Sequence, residues 1–478
     1  MPLTLVTGPA NAGKVALLLG RYLESIEQDP LLIVPYRSDV ERVERDLLRR
    51  TPALAGGWIA TFDQVFERLA REDPSARPVL SDEQRSLLLR RVVGSARLNG
   101  YGRSARFGGF ADALGTAVRE LEEALAAPDQ LHEGHLAGLY AAYRAELERL
   151  GRWDRDGQRA FAAGRLEHSL PSWDGRPVLA YGFADLTGAE WRLLEALAGR
   201  AEVTVSLPYE PGRPAFASVE RTASDLARLA DGRIVELPAR SAEYAHPALA
   251  RLERRLFSDT SSNAAPPALE GAVRWLEGAG ARGLLELVAE EVLELLRAGA
   301  PADQIAVVCP SLDRIRAPLE TAFGTLGIPY ALEGTARLAR TSYGHALLSL
   351  LRFAWGGGGR RELYAFLRSP YSGFTRAHAD FLEGRLRGRA VHTAERVEEE
   401  TVRLRGQPLP ALDALRAARD PLAAAGELAA SMVRSAYGLQ SPPVGEESRL
   451  DLRAYDAARR LLAELEGWQS LAGPLPAE

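Results

Sequence analysis

Eight residues near the amino terminus, Gly8-Pro9-Ala10-Asn11-Ala12-Gly13-Lys14-Val15, carry the clearest chemical signal in the chain. They fit the first seven positions of the phosphate-binding pattern GxxxxGK[ST], with an apolar stretch before and an amphipathic one after. Glycines at positions 8 and 13 permit a tight turn and a close approach of backbone to phosphate. Backbone N–H groups at the start of the following helix form an anion site. Lys14 stands where an ammonium reaches the outer phosphates. The eighth position is Val15. A Ser or Thr there would ligate Mg²⁺ through its hydroxyl, and valine has none. Of 59 lysine and arginine residues, Lys14 alone is lysine. A solvated surface charge can be either type, so a lysine kept at one place points to a site that needs a slim ammonium rather than a planar guanidinium.

A nucleotide-hydrolysing site of this kind needs a second part, a strand ending in Asp and often Glu that holds the metal and orients water. The best candidate strand begins at Val178 and reads Val178-Leu179-Ala180-Tyr181-Gly182-Phe183-Ala184-Asp185, with Tyr181-Gly182 where the acids would stand. The pattern predicts phosphate binding without efficient catalysis. Other tempting residues have plainer readings. His132 and His135 lack zinc-site spacing and a third ligand. Asp154 and Asp156 fall in a turn-like stretch and make no catalytic dyad. Arginine pairs such as Arg90-Arg91 and Arg254-Arg255 read as solvated helix faces. Trp58, Trp153 and Trp355 read as packing residues rather than base-stacking platforms.

The elements that position the loop follow an α/β pattern. Short apolar runs at 3–6, 31–34 and 58–61 read as strands, the second continuous enough for a buried parallel strand. Helical periodicity covers 14–26, a helix capped by Ser38 runs to about Arg50, and another begins near Asp63. Residues 76–175 read as all helical, opening with capping-box spacing at Ser81-Asp82-Glu83-Gln84. Strands resume at 178–181 and 203–207 around a helix at 189–198. The Ser-, Ala- and Pro-rich stretch 258–267 is the best linker. A further unit is expected from strands at 273–276 and 305–309 and helices at 283–297 and 311–326. The rest is helical, with a glycine loop at 356–359. The predicted organisation is a first α/β domain from 1–75 and 176–257, a helical insertion at 76–175, a second α/β segment at 268–335 and a helical domain at 336–478.

A length of 478 residues calls for several domains. A hydrophobic fraction of 46% with 26% charged residues suits a soluble globular protein, and no apolar run approaches the ~20 residues of a membrane span. Cys309 is the single cysteine, which excludes an internal disulfide and a cysteine metal cluster. It lies in an apolar run and reads as inert core in a cytoplasmic protein. The net charge of −5 means that any nucleic-acid contact needs a local basic patch.

The order of segments resembles AddB-type subunits of bacterial AddAB helicase–nucleases, relatives of UvrD-like superfamily I helicases. The resembling pieces are the loop at 8–15, Leu32-Ile33-Val34-Pro35, Ala60-Thr61-Phe62 and Leu80-Ser81. They continue with Tyr181-Gly182-Phe183-Ala184-Asp185-Leu186-Thr187 followed by Glu190, then Asp303-Gln304-Ile305-Ala306-Val307-Val308 and Gly327-Ile328-Pro329-Tyr330. The resemblance implies a RecA-like P-loop NTPase fold, with large helical insertions in a parallel sheet, then a second RecA-like segment and a helical region. It implies ATP at Gly8, Pro9, Ala10, Asn11, Ala12, Gly13, Lys14 and Val15, single-stranded DNA or DNA ends as ligand, and an AddA-like motor–nuclease partner in homologous recombination. The family's recognition of a hotspot sequence uses residues after the second strand. Here these read Pro35-Tyr36-Arg37-Ser38-Asp39, with Arg37 and Asp39 departing from the Gln and Thr common in the family. The family's nuclease domain, with its Fe–S cysteines, lies downstream of these residues. Three readings follow: a helicase-like subunit that binds nucleotide without turning it over, a working DNA-dependent ATPase holding Mg²⁺ through other groups, and a scaffold with a vestigial P-loop.

Overall fold

The computed structural model describes residues 3–132, 134–165, 173, 175–240, 244–258, 269, 271–332, 337–388, 393–437 and 446–475. The chain forms two compact units, Met1–Arg274 and Trp275–Glu478. The linker expected at 258–267 lies outside the described residues apart from Ser258.

In the first unit six parallel strands make one sheet: β1 (Thr4–Gly8), β2 (Leu31–Ile33), β3 (Trp58–Ala60), β4 (Val178–Tyr181), β5 (Val203–Pro208) and β6 (Ile234–Glu236), in the order β3-β2-β4-β5-β1-β6. The pleat sorts their side chains to two faces. Leu5, Leu31, Ile33, Val178, Ala180, Val203 and Val205 enter one core. Val6, Leu32, Val34, Leu179 and Tyr181 enter the other. Both faces are covered, which is why these strands read as continuous apolar runs. The second face is closed by α1 (Lys14–Glu24) and α2 (Arg37–Leu48), through Leu18, Leu19, Tyr22, Val43 and Leu47. The first is closed by α3 (Phe62–Arg71), α7 (Arg155–Arg165), α8 (Gly188–Ala198) and α9 (Glu220–Ala230).

Between α3 and α7 the chain makes α4 (Asp82–Ser95), α5 (Gly108–Glu123) and α6 (His135–Leu150). Ser81 caps α4 by accepting from Gln84 N–H at 3.2 Å. The segment is closed at its base by a parallel bridge between Val79 and Trp153. Asp154, fully buried, accepts from Tyr143 Oη at 2.5 Å and from Gly157 N–H at 2.8 Å. Arg85 Nε donates to the same Tyr143 oxygen at 3.1 Å. Asp156 is paired with Arg159, which reaches Asp63 on α3 at 2.6 Å. The two aspartates thus tie the helical segment to the sheet-covering helices. The cap expected at Ser38 sits elsewhere. Helix α2 starts earlier, behind Tyr36, whose N–H donates to Asp39 Oδ2 at 3.2 Å.

In the second unit α11 (Gly280–Arg297) packs on α12 (Leu312–Thr325) through Leu285, Ala289, Val292, Leu319 and Phe323. A larger helical core follows, built from α13 (Ser342–Trp355) to α19 (Glu446–Ala472) around Tyr343, Leu347, Leu363, Leu412 and Met432. The strands expected at 273–276 and 305–309 do not form. A strand needs neighbours for its N–H and C=O groups, and among the described residues of this unit none is present. Val308 is instead 92% exposed, and Cys309 is half-buried rather than core. No helix among the described residues is long and apolar enough to cross a membrane.

Candidate nucleotide-binding site

β1 delivers the loop of residues 9–13 to the carboxyl edge of the sheet, where open α/β sheets bind ligands. Gly8 leaves the strand with φ +151°, and a methyl group there would lie 2.7 Å from the Leu237 carbonyl oxygen. Gly13 caps α1 in the left-handed region, φ +91°. Both positions favour glycine, since a β-carbon is strained at these positive φ angles. No side chain caps α1, and its first turn carries no acid. Its amide donors therefore keep the partial positive charge of a helix start. Lys14 Nζ donates to the carbonyls of Gly8 at 2.7 Å and Pro9 at 2.5 Å, closing the loop on itself. Burial pulls the Lys14 ammonium below its ordinary value, against the charges of Glu210 and Glu253. The site residues predicted from sequence, 8–15, are contiguous and lie together. Val15 is 41% exposed and presents only methyl groups.

β4, separated from β1 by β5, ends at Tyr181. The Tyr181 hydroxyl takes a 3.4 Å contact from Arg42 Nη2. Gly182 turns the chain with φ +86°, where a methyl group would meet Pro35 at 2.9 Å. The acids that follow are consumed locally. Asp185 Oδ1 accepts from Leu186 N–H at 2.8 Å. Thr187 and Glu190 form a reciprocal capping box on α8, with Thr187 N–H donating to Glu190 Oε2 at 2.8 Å. This stretch is a helix-starting turn, and the metal-holding pair is absent from it.

Sequence reasoning missed the groups that flank the loop. β5 pairs with β1 in register, Gly8 against Pro208, and Tyr209 continues as a bridge to Gly8. Glu210 is next, bound by Arg213 at 2.5 Å and by Arg254 of α10 (Pro247–Arg255) at 2.7 Å. Arg213 also holds Glu253 at 3.0 Å. Burial opposes ionisation of Glu210, yet the two arginines hold its carboxyl below its ordinary value. β6, missed because it is only three residues long with just Ile234 and Val235 apolar, runs along the other side of β1, and Leu237 N–H donates to Thr7 O at 2.8 Å. Arg240 then lies over the loop: a methyl group on Gly13 would be 3.3 Å from its Cζ and Nη2. The signal available in sequence was weak, since strand order decides which strand ends adjoin the loop. Trp58 packs under Arg68, Trp153 against Phe161, and Trp355 donates to Leu415 O, so all three serve packing as expected. Among the described residues no group of His, Cys, Asp and Glu has metal-site geometry.

No protein-family model matches the chain. It is similar to the AddB subunit of the ATP-dependent helicase/deoxyribonuclease of Desulfitobacterium hafniense strain Y51, 24% identical in an alignment of 441 residues that covers 82% of this chain and 36% of the relative. The protein of the same name from strain DSM 10664 / DCB-2 is 24% identical, with 81% and 35% covered. That of Desulforamulus reducens is 27% identical over 239 residues, with 44% and 20% covered. The chain spans about a third of the length of the two Desulfitobacterium hafniense relatives. Extended over four-fifths of its length, the similarity bears out the AddB-type resemblance carried by its motifs.

Proposed function

We propose that this chain is the helicase-like part of an AddB-type subunit, with a RecA-like P-loop domain and helical additions. It holds ATP at residues 8–15 without hydrolysing it. It binds single-stranded DNA or DNA ends beside an AddA-like motor–nuclease in double-strand break repair by recombination. The observation that carries this reading is the split state of the site. The phosphate side is supported by a glycine-bounded loop, an uncapped helix start and Lys14, whose ammonium donates to the Gly8 carbonyl. The metal side is not, since Val15 has no ligand atom and Tyr181-Gly182 replaces the acids of β4. The residues fit a phosphate group and do not fit Mg²⁺ in its usual place.

A second reading rests on Glu210 and Glu253, whose charges act on Lys14. Were either released by its arginines it would offer a carboxylate beside the loop, and the chain would turn ATP over. Equilibrium titration of a fluorescent ATP analogue, paired with a phosphate-release assay with and without single-stranded DNA, separates the two. The first reading expects saturable binding and no turnover.

A further inference from the structure

The net charge of −5 is unevenly spread along the chain. From Gln84 to Ala111 there are six arginines, Arg85, Arg90, Arg91, Arg97, Arg103 and Arg106, and no aspartate or glutamate. Arg85 is spent inside, on Tyr143 and the Gly115 carbonyl, and Arg91 lies 3.9 Å from Glu146. The other four are exposed, and none has an ion-pair partner among the described residues. They gather on the connection between α4 and α5. That connection is a succession of hydrogen-bonded turns. Tyr101 N–H donates to Leu98 O at 3.1 Å, Ala105 N–H to Tyr101 O at 2.9 Å and Phe107 N–H to Ser104 O at 3.1 Å. Arg90 reaches its far end from α4, with Nη2 3.5 Å from where a methyl group on Gly108 would stand. Two aromatic rings stand among these charges, Phe107 at 72% exposure and Tyr101 at 52%. Tyr101 is steadied by Phe110, 6.3 Å between centroids, and edge-on by His135 at 5.6 Å. A single exposed ring is ordinary. Two rings on an ordered, acid-free, arginine-bearing turn make the surface that a single-stranded nucleic acid fits, with phosphates on the guanidinium groups and unstacked bases on the rings. Exposed arginines hold a phosphate backbone through charge and counterion release, so this contact needs no preset donor geometry.

We propose that the connection between α4 and α5 is a contact surface for single-stranded DNA, with Arg90, Arg97, Arg103 and Arg106 on backbone phosphates and Phe107 and Tyr101 as stacking platforms. A ring can stack only on a base that has left its own stack, which selects a single strand over a duplex. The inference deepens the DNA-binding reading above and rests on it. It assigns that contact to the helical segment of the first unit, and the loop at residues 8–15 takes no part in it.

The test is fluorescence anisotropy of a labelled oligothymidylate, and of a duplex of equal length, with the full chain across a salt series. Wild type is compared with the triple variant Arg97→Gln/Arg103→Gln/Arg106→Gln and with Phe107→Ala. A control triple, Arg221→Gln/Arg396→Gln/Arg459→Gln, removes the same charge from exposed arginines elsewhere. Thermal melts check folding. The first triple should flatten the log–log salt slope by about 2, at about 0.7 per phosphate, and weaken binding at low salt by about 10-fold or more. Should it fail to fold, each arginine replaced alone is expected to lower the slope by about 0.7. Phe107→Ala should weaken single-strand binding about 5–100-fold, the worth of one stacked base, and leave the slope unchanged. The control triple should keep the wild-type slope. A loop triple with wild-type affinity and slope refutes the surface, and so does a control triple that loses as much. An unchanged Phe107→Ala, or a duplex bound as tightly as the single strand, refutes the stacking and the choice of a single strand. In those cases wild-type binding still upholds the DNA-binding reading. If wild type binds no single strand at low salt, that reading fails and takes this inference with it.

Discussion

Lys14 pins the carbonyls of Gly8 and Pro9 with its ammonium, and in the proposed site the same charge would face the phosphates. Lys14→Ala is expected to weaken binding of an ATP analogue about 10–100-fold, the worth of one charge-assisted contact. Its far-UV circular dichroism should match wild type. Equal affinities of the two proteins would remove the functional reading of the loop. A different residue governs the pH response of the helical segment. Glu122 is buried on α5, with Arg144 on Oε1 at 3.3 Å and no hydrogen-bond partner on Oε2. Burial, reinforced by the charge of Asp154, pushes its carboxyl well above its ordinary value. The folded state therefore keeps a proton that the unfolded chain has already released. Its contribution to stability is full below the unfolded value and is lost as pH rises toward the folded one. Glu122→Gln removes that dependence. Its melting temperature should exceed that of wild type by a margin that grows from about pH 5 to about pH 8, reaching a few degrees for ~1 kcal/mol. Parallel melting curves across that range would contradict the assignment.

At the scale of elements, the turn after β4 decides how the site should be understood. The Asp185 and Glu190 carboxylates serve the amino terminus of α8, so their loss should cost stability and leave ligand binding alone. Thr187→Ala is expected to destabilise the first unit by ~1 kcal/mol, the usual cost of removing a Thr cap. ATP-analogue affinity should not change. A loss of affinity without a loss of stability would return this turn to the nucleotide site. Much of this level was legible in the sequence. The strands at 31–33, 58–60 and 178–181 and the helix cap at Ser81 follow from local patterns, because burial on both faces and cap geometry are local requirements. β6 was not legible, since its exposed Ile234 and Glu236 carry no apolar run. The reverse error occurred at 305–309, where an apolar run promises a strand but the hydrogen-bond partners that would make it one are absent among the described residues. The flanks of the site, Glu210, Arg240 and Glu253, were invisible for a related reason. They reach the loop only through the lateral order β5-β1-β6.

At the scale of the whole molecule, a net charge of −5 offers no long-range attraction to nucleic acid. Single-stranded DNA is therefore expected to bind the isolated chain weakly and with strong salt dependence, each neutralised phosphate steepening the log–log slope by about 0.7. Fluorescence anisotropy of a labelled oligonucleotide across a salt series reads this directly. Tight binding insensitive to salt would show that base stacking dominates and that the tryptophans have been undervalued. The chain spans about a third of the length of two curated relatives, and weak binding also follows if the proposed partner subunit supplies the rest of a DNA path. The central claim is narrower and more exposed: a phosphate site that is built, joined to a catalytic site that is not. Steady-state phosphate release from ATP by the purified chain, with and without single-stranded DNA, in the same preparation shown by titration to bind an ATP analogue, tests it most directly. The account predicts saturable binding with no turnover above background. Release at an ordinary enzymatic rate of ~1 s⁻¹ or faster would contradict it.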